Sequence, residues 1–257
     1  MASAVDGTRG AGAPIVTTDA LLGGRVCLTQ PAFGQRVAID AVFLAAAVPA
    51  GSSQLVLDIG CGSGPASLCL ATRQPQCRIV GLELQTDLVE LANANAARNG
   101  LSGRVSAIAG DLLRPPRALD PGRFDHVMAN PPYLERGRGS RLRDPAKALA
   151  TIEGEAELAD WVRFAIAMVR PKGTLTFVHR ADRIDGLIAN LSGRCGELTI
   201  FPLWPAQGRP AGRVLVRARR GVASPARLLP GLVLHEADGR FTAAAEAVLR
   251  EGAALAF

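Results

Sequence analysis

Lysine is nearly absent from this 257-residue chain: Lys147 and Lys172 are its two lysines, so almost all of the positive charge is arginine. Aromatic residues are also sparse, at 4%. No apolar run approaches the ~20 residues that a membrane-crossing helix needs. The greasiest window, Val37–Ala50, contains Asp40 and Pro49, and no membrane role is expected. The opening Met1–Pro14 is rich in Ala and Gly without an apolar block. It reads as neither signal peptide nor anchor, but as a mobile tail over 1–16. Cys27, Cys61, Cys69, Cys77 and Cys195 include no close pair of the kind that holds zinc, so no metal is expected. Their odd number without an export signal indicates reduced thiols and a cytoplasmic protein, with Cys69 and Cys77 acting as small core hydrophobes.

What is present is ordinary for a soluble globular enzyme: 48% hydrophobic and 20% charged residues. The length suits one full-sized core, with or without an appendage. A net charge of +6 and a pI near 9.6 favour a polyanionic partner. An arginine bias in a chain rich in Ala and Gly also arises from genomic base composition, so charge alone decides little.

There is no internal repeat. Thr18–Thr29 is a hairpin-like piece turned by Gly23-Gly24, and Asp40 looks like the N-cap of a short helix Ala41–Val48 stopped by Pro49. From Leu55 strands and helices alternate, the signature of a parallel sheet covered on both faces. The expected strands are Leu55–Asp58, Arg78–Glu83, Arg104–Ala109, Phe124–Ala129, Thr174–His179, Glu197–Phe201 and Arg213–Arg219. The helices are Ala66–Arg73 with Pro65 in its first turn, Thr86–Asn99 with Thr86 as N-cap and Gly100 behind it, Glu155–Val169 and Arg183–Leu191. A linker without a crossover helix joins the last two strands, so they can pair antiparallel. A hairpin at Leu232–Phe241 and a helix at Thr242–Leu249 end the chain.

The fold class is therefore α/β: a Rossmann-like, seven-stranded, mostly parallel sheet with helices on both faces and the last strand antiparallel. Its divisions are an N-terminal lid segment at 17–50, the Rossmann-like domain at 51–220 and a hairpin-helix extension at 221–257.

Asp58-Ile59-Gly60-Cys61-Gly62-Ser63-Gly64 sits at the carboxyl end of the first strand, where an open α/β sheet binds its ligand. Glycines there let backbone approach a ligand closely. In the dinucleotide fingerprint G-x-G-x-x-G/A the last position would fall on Pro65, which counts against NAD or FAD. Glu83 lies 19 residues beyond Gly64, near the offset at which an acid reaches ribose hydroxyls. Asp111, after Gly110 at the third strand end, can accept from an adenine amino group; otherwise it starts a loop. At the fourth strand end stands Asn130-Pro131-Pro132-Tyr133. The Asn130 side-chain carbonyl and the Pro131 backbone carbonyl are two acceptors, and Tyr133 supplies an aromatic face. They suit gripping a flat, conjugated NH₂ group and turning its lone pair toward an electrophile, here inferred to be a methyl sulfonium.

In this order on successive strand ends, Asp58–Gly64, Glu83, Asp111 and Asn130–Tyr133 resemble the class I S-adenosylmethionine-dependent methyltransferases. Within them the chain resembles the bacterial tRNA adenine-N6 methyltransferases that modify the adenine beside the anticodon of a valine tRNA. Thr17–Gly24, Gln30-Pro31, Ile39–Val42, Pro202–Pro205 and Leu234–Glu236 share in this likeness. The resemblance implies S-adenosyl-L-methionine as cofactor and tRNA as partner. It implies that Gly60, Cys61, Gly62 and Gly64 pack against the cofactor and that Asp58 steers its methionine amine. Glu83 with Leu84 would take the ribose, Asp111 with Leu112 the adenine, and Asp40 would close over the methionine end, unless it is simply an N-cap. Asn130, Pro131, Pro132 and Tyr133 would carry the catalysis, with Asn130 also near the cofactor.

Arg136, Arg138, Arg141 and Arg143, spaced by glycines, follow with Lys147 close behind, a candidate phosphate grip or else a solvated charged loop. Arg213, Arg217, Arg219 and Arg220 on the last strand are read the same two ways. His126, His179 and His235 read as structural. Rival functions are a protein glutamine N-methyltransferase, a methyltransferase of another RNA or DNA amino group, a dinucleotide-dependent oxidoreductase and a non-catalytic RNA-binding module.

Overall fold

The computed structural model of the protein describes residues 16–32, 39–132 and 156–257. Strands β1 (Val16–Leu21) and β2 (Val26–Pro31) pair antiparallel as a separate hairpin. Gly23 and Gly24 turn it at φ 65° and 90°, where a residue with a Cβ is strained.

The main sheet contains β3 (Leu55–Ile59), β4 (Arg78–Glu83), β5 (Val105–Ala109), β6 (Phe124–Ala129), β7 (Val169–Arg180), β8 (Cys195–Ala206) and β9 (Arg213–Arg220). They lie in the order β8-β9-β7-β6-β3-β4-β5. β3 to β7 are parallel neighbours, and β9 runs antiparallel to both β7 and β8. This is the expected Rossmann-like sheet of seven strands, with the last in sequence reversed.

Two further short strands, β10 (Arg227–Leu228) and β11 (Leu232–His235), pair parallel to β8 and bring the sheet to nine strands. The expected terminal hairpin Leu232–Phe241 is thereby corrected: its strand joins β8, and only one bridge, His235 to Phe241, runs across it. The reason is that β8 extends to Ala206 instead of stopping at Phe201, leaving an open edge that the following chain covers. β7 likewise begins at Val169, before the expected Thr174, absorbing Arg170–Gly173 as an irregularity where its register with β6 shifts.

The helices are α1 (Asp40–Ala47), α2 (Pro65–Arg73), α3 (Thr86–Arg98), α4 (Leu158–Met168), α5 (Ile184–Leu191) and α6 (Ala243–Leu249). Behind Asp40, α1 is apolar all round and buried all round, as such a helix must be; it packs on α2, β7 and α6. α4 and α5 cover the other face, where Leu57, Ile59, Val127 and Phe177 form a second core half. Pro65 opens α2 as expected, and Gly100 follows α3 at φ 68°.

Two caps are corrected. Thr86 is the first helical residue of α3, with Gln85 at the cap and no side-chain capping bond. Asp40 is the first residue of α1, behind Ile39 at the cap. Its carboxylate instead accepts from Arg213 Nε of β9 at 2.9 Å. A buried carboxylate requires a partner, and here the partner lies 173 residues away in sequence.

The histidines are structural. His126 is buried, its ring nitrogens 2.6 Å from Thr174 Oγ1 and 2.8 Å from Gln54 Oε1. Burial pushes both His126 and His179 down to about 4. His235 Nδ1 lies 2.9 Å from the Pro205 carbonyl oxygen, and the ring stacks on Phe241. All five cysteines are free thiols, and Cys69 and Cys77 are buried.

Two asparagines fasten the hairpin to α3. Asn95, in the last turn of α3, is fully buried. Its Nδ2 donates to the carbonyls of Thr29 (2.7 Å) and Ser63 (2.9 Å), and its Oδ1 accepts from Thr29 N (2.9 Å). One turn on, Asn99 repeats the pattern on Cys27: Oδ1 accepts from Cys27 N and Nδ2 donates to Cys27 O, both at 2.8 Å. Two amides four residues apart on a helix thus pair with the edge of β2 as a neighbouring strand would. Asn95→Ala strands three buried backbone groups and is expected to cost about 3–5 kcal/mol. Asn99→Ala, at the more open rung, is expected to cost about 1 kcal/mol. Urea unfolding of the two variants checks this; equal losses would contradict it.

Candidate active site

The chain leaves β3, β4, β5 and β6 at one pole of the sheet. Strand order reverses beside β3, which has β4 on one side and β6 on the other, and in an open α/β sheet the ligand crevice lies at such a point. The glycine turn folds back over the tip of β4: Gly60 N and Cys61 N donate to the Leu82 carbonyl at 2.8 and 3.1 Å. A Cβ on Gly60 would come 2.4 Å from Trp161 Cη2, so this glycine is required by the indole behind it. A Cβ on Gly62 would meet nothing within 4 Å; here the backbone faces open space that a ligand can use. Gly64 is the N-cap residue of α2, at φ 90°. The Cys61 side chain turns inward, its Sγ filling the room beside Gly81. Burial, then the charges of Asp58 and Glu83, push its thiol well up, so it is no nucleophile.

The two acids of the crevice differ. Glu83 accepts from Gly62 N through Oε2 and from Gln85 N through Oε1, both at 2.9 Å. It therefore holds the glycine turn as well as facing the cleft. Asp58 is buried and accepts from Ser67 Oγ at 2.7 Å. Burial pushes its carboxyl up to about 7; the Ser67 hydrogen bond opposes this and the charge of Glu83 adds to it. Asp111 accepts from Leu113 N at 2.9 Å and pairs with Arg114 at 3.2 Å, the local turn chemistry of a loop-starting aspartate.

Glu83, Leu84, Asp111 and Leu112 line one open cleft of about 470 Å³, together with Gly60. Leu84 is 48% exposed, an apolar surface on the cleft side that a flat ring can cover. The cleft also holds Trp161 and Gln85, which the motifs did not indicate; Trp161 lay hidden within the apolar stripe of its helix. Trp161 Nε1 is buried without a hydrogen-bond partner among the described residues.

Asn130 follows Ala129, which pairs across to Ile59, so Asn130 and Gly60 leave adjacent strand ends together. Pro131 is buried and Pro132 half-buried. Tyr133, Arg136, Arg138, Arg141, Arg143 and Lys147 lie outside the described residues. Asp40 is engaged with Arg213, as above. Among the described residues no group of three or more His, Cys, Asp or Glu could hold a metal ion. No helix among them is long and apolar enough to cross a membrane.

A cleft at the reversal of strand order, bounded by a glycine turn and an acidic strand tip, defines a Rossmann-like nucleotide-binding fold. The same fold occurs in a predicted O-methyltransferase from Agrobacterium tumefaciens, with a TM-score of 0.71 and 25% identity over 85% of this chain and 99% of that one. Residues 28–151 match the Methyltransferase small domain family. A tRNA1(Val) (adenine(37)-N6)-methyltransferase from Aeromonas hydrophila is 30% identical, over 80% of this chain and 85% of its own length. One from Porphyromonas gingivalis is 33% identical, over 66% of this chain and 68% of its own length. The chain belongs to this tRNA1(Val) (adenine(37)-N6)-methyltransferase family, and is an S-adenosylmethionine-dependent methyltransferase.

Asp58 makes the site pH-sensitive. The unfolded chain releases this proton near 3.8 and the folded chain near 7, so the native state binds more protons in between. Its contribution to stability is full below 3.8 and lost as pH rises through about 7, in all about 4 kcal/mol. His126 and His179 act in the opposite sense, since their folded values near 4 lie below the ordinary 6.5. The difference in stability between wild type and Asp58→Asn isolates the aspartate: it is expected to fall between pH 4 and 7 and stay flat above. A flat difference throughout would contradict the buried, protonated Asp58.

Trp161 gives a second test. Trp161 and Trp204 are the two tryptophans, so cofactor titration of Trp204→Phe is expected to retain the full change in indole fluorescence. Trp161→Phe is expected to abolish it; the reverse would remove Trp161 from the cofactor cleft.

Proposed function

We propose that the enzyme methylates the 6-amino group of an adenine in tRNA, the acceptor named for its relatives from Aeromonas hydrophila and Porphyromonas gingivalis. The observation that carries this reading is the position of Asn130-Pro131-Pro132 at the tip of β6, one strand from the glycine turn. The nucleic-acid acceptor implies action in the cytoplasm, and accords with the net charge of +6.

The residues of the crevice fit the cofactor. Gly60, Cys61, Gly62 and Gly64 would offer it backbone, Asp58 would hold its methionine amine, and Glu83 with Leu84 its ribose. Asp111 and Leu112 would meet the adenine. The open space at Gly62 and the apolar cleft wall at Leu84 support this fit. S-adenosylmethionine supplies a methyl group on a positively charged sulfur. Asp58, only about half ionised at pH 7 when alone, would become the ionised partner of the cofactor's cationic groups. Asp40, at the same pole as the start of β9, would close over the methionine end through the segment 17–50. That segment, the domain at 51–220 and the extension at 221–257 form the proposed division, with the first of them beginning in β1, which the structure starts at Val16.

An exocyclic amino nitrogen is a poor nucleophile because its lone pair is delocalised into the ring. The Asn130 carboxamide oxygen and the Pro131 carbonyl would each accept one of its N–H groups, raising electron density on nitrogen and letting it become tetrahedral. β6 alternates, with Val127 and Ala129 in one core half and Met128 in the other. Continuing that alternation puts Asn130 on the Asp58 side of the sheet. Fixed dipoles of this kind are worth about 3–4 kcal/mol where charge develops. Pro132 would stiffen the turn, and Tyr133 would stack on the flipped-out base. Arg136, Arg138, Arg141 and Arg143 would grip the phosphates beside it.

Asn130→Ala is expected to lower kcat by about 100- to 1000-fold with cofactor affinity within a few-fold of wild type. Retained turnover would remove the mechanism. Nucleoside mass spectrometry of tRNA from a deletion strain tests the acceptor: N6-methyladenosine should disappear from tRNA and return with the gene. Label that appears on a protein glutamine and survives ribonuclease would instead establish the amide-directed rival.

A further inference from the structure

The opposite pole of the sheet, where β6 and β7 begin and β9 ends, carries an open hollow of about 650 Å³ that the methyltransferase reading does not use. Four cations line it, Arg170 and Lys172 from β7 and Arg217 and Arg219 from β9, against two carboxylates, Asp125 and Glu197. The pairing is incomplete. Arg170 Nε donates to Asp125 Oδ1 at 2.7 Å, and Arg219 Nη1 donates to Glu197 Oε2 at 3.0 Å. Among the described residues neither Lys172 nor Arg217 has a carboxylate within ion-pair distance.

Arg217 is half-buried, its Cζ 4.5 Å above the ring of Phe257. The ring satisfies one face of the guanidinium and leaves its N–H fork free for an acceptor. Burial, then the nearby charge of Arg227, push the group down from its ordinary value, with Glu197 acting the other way. A surplus cation in such a place lacks the anion that would complete it.

Lys172 adds an independent sign. It adopts φ 62°, the left-handed region, at the irregular start of β7. A glycine would take that backbone without strain, yet the glycine stands one residue later. Gly173 has its own reason, since a Cβ there would lie 2.7 Å from the Asp125 carbonyl oxygen. An ammonium is therefore kept on the rim of the hollow against a conformational cost, the kind of outlier that marks a site.

A tetrahedral oxyanion with several acceptor oxygens can take a point-charge ammonium and a guanidinium fork at once. Its charge, single in a phosphodiester and up to double in a phosphate monoester, offsets part or all of the two surplus cations. We propose that this hollow binds a phosphate-class oxyanion, gripped between Lys172 and Arg217 with Arg170 and Arg219 beside it. The site is separate from methyl transfer and does not depend on the identity of the methyl acceptor. The oxyanion comes either from a remote phosphodiester of bound RNA or from a free phosphorylated solute.

The test is thermal unfolding of the full chain with pyrophosphate, against chloride at equal ionic strength. Wild type is expected to show a saturable rise in Tm with pyrophosphate beyond that with chloride. Lys172→Gly and Arg217→Gln should weaken that response at least tenfold. Lys172→Gly relieves the left-handed residue, so its Tm without anion should equal or exceed that of wild type and keeps the comparison free of misfolding. No excess stabilisation by pyrophosphate in wild type, or an unchanged response in both variants, overturns the proposal. The salt dependence of tRNA affinity then separates the sources. A slope of log K against log salt shallower by about 1 in the variants assigns the site to RNA backbone. An unchanged slope with the pyrophosphate response lost assigns it to a free phosphorylated solute.

Discussion

The buried carboxamide of Asn95 is the interaction on which the cofactor pole depends. It joins three segments far apart in sequence: β2 through Thr29, the glycine turn through Ser63, and α3, on which it stands. Each of its bonds satisfies a backbone group that would otherwise be buried unpaired. The glycine turn is held from the other side by Glu83, whose carboxylate accepts from Gly62 N. A loop rich in glycine has high intrinsic freedom. Clamped between an amide and a carboxylate, it can present its backbone to a ligand without being ordered at the moment of binding.

The same clamp creates an electrostatic problem that a bound cation would resolve. Glu83 lies close enough to disfavour the charge of Asp58, and both side chains are withdrawn from water. Without a cation nearby Asp58 holds its proton until about pH 7. A ligand bearing an ammonium and a sulfonium would supply the missing positive charge, and its affinity would then be linked to the protonation of Asp58. Cys61, caught between the same acids, is kept as an inert thiol. A buried pair of like charges at a strand end is costly as structure and useful as a receptor for a cation.

Much of this was legible in the sequence. The seven strands β3 to β9 follow from alternating apolar strands and helices, and the glycine turn, Glu83 and Asp111 fall on strand tips as their spacing requires. What failed to be legible depended on distant partners. Asp40 looked like a cap because its neighbours begin a helix, but its carboxylate is held by Arg213 of β9. Asn95 and Asn99 carried a faint signal, two weak helix formers four residues apart, one in the last turn of α3 and the other at its C-cap. Trp161 carried none, since its periodicity is that of any core residue.

By itself, then, the sequence determined the α/β class, the position of the glycine turn, and a strand tip ending in Asn130-Pro131-Pro132, because these rest on local periodicity and backbone stereochemistry. Tertiary structure alone decided which face of each glycine is open, where the buried acids and amides find partners, and how β10 and β11 cover the edge of β8. Those outcomes depend on desolvation and close approach between segments that only folding brings together, and no local pattern encodes them.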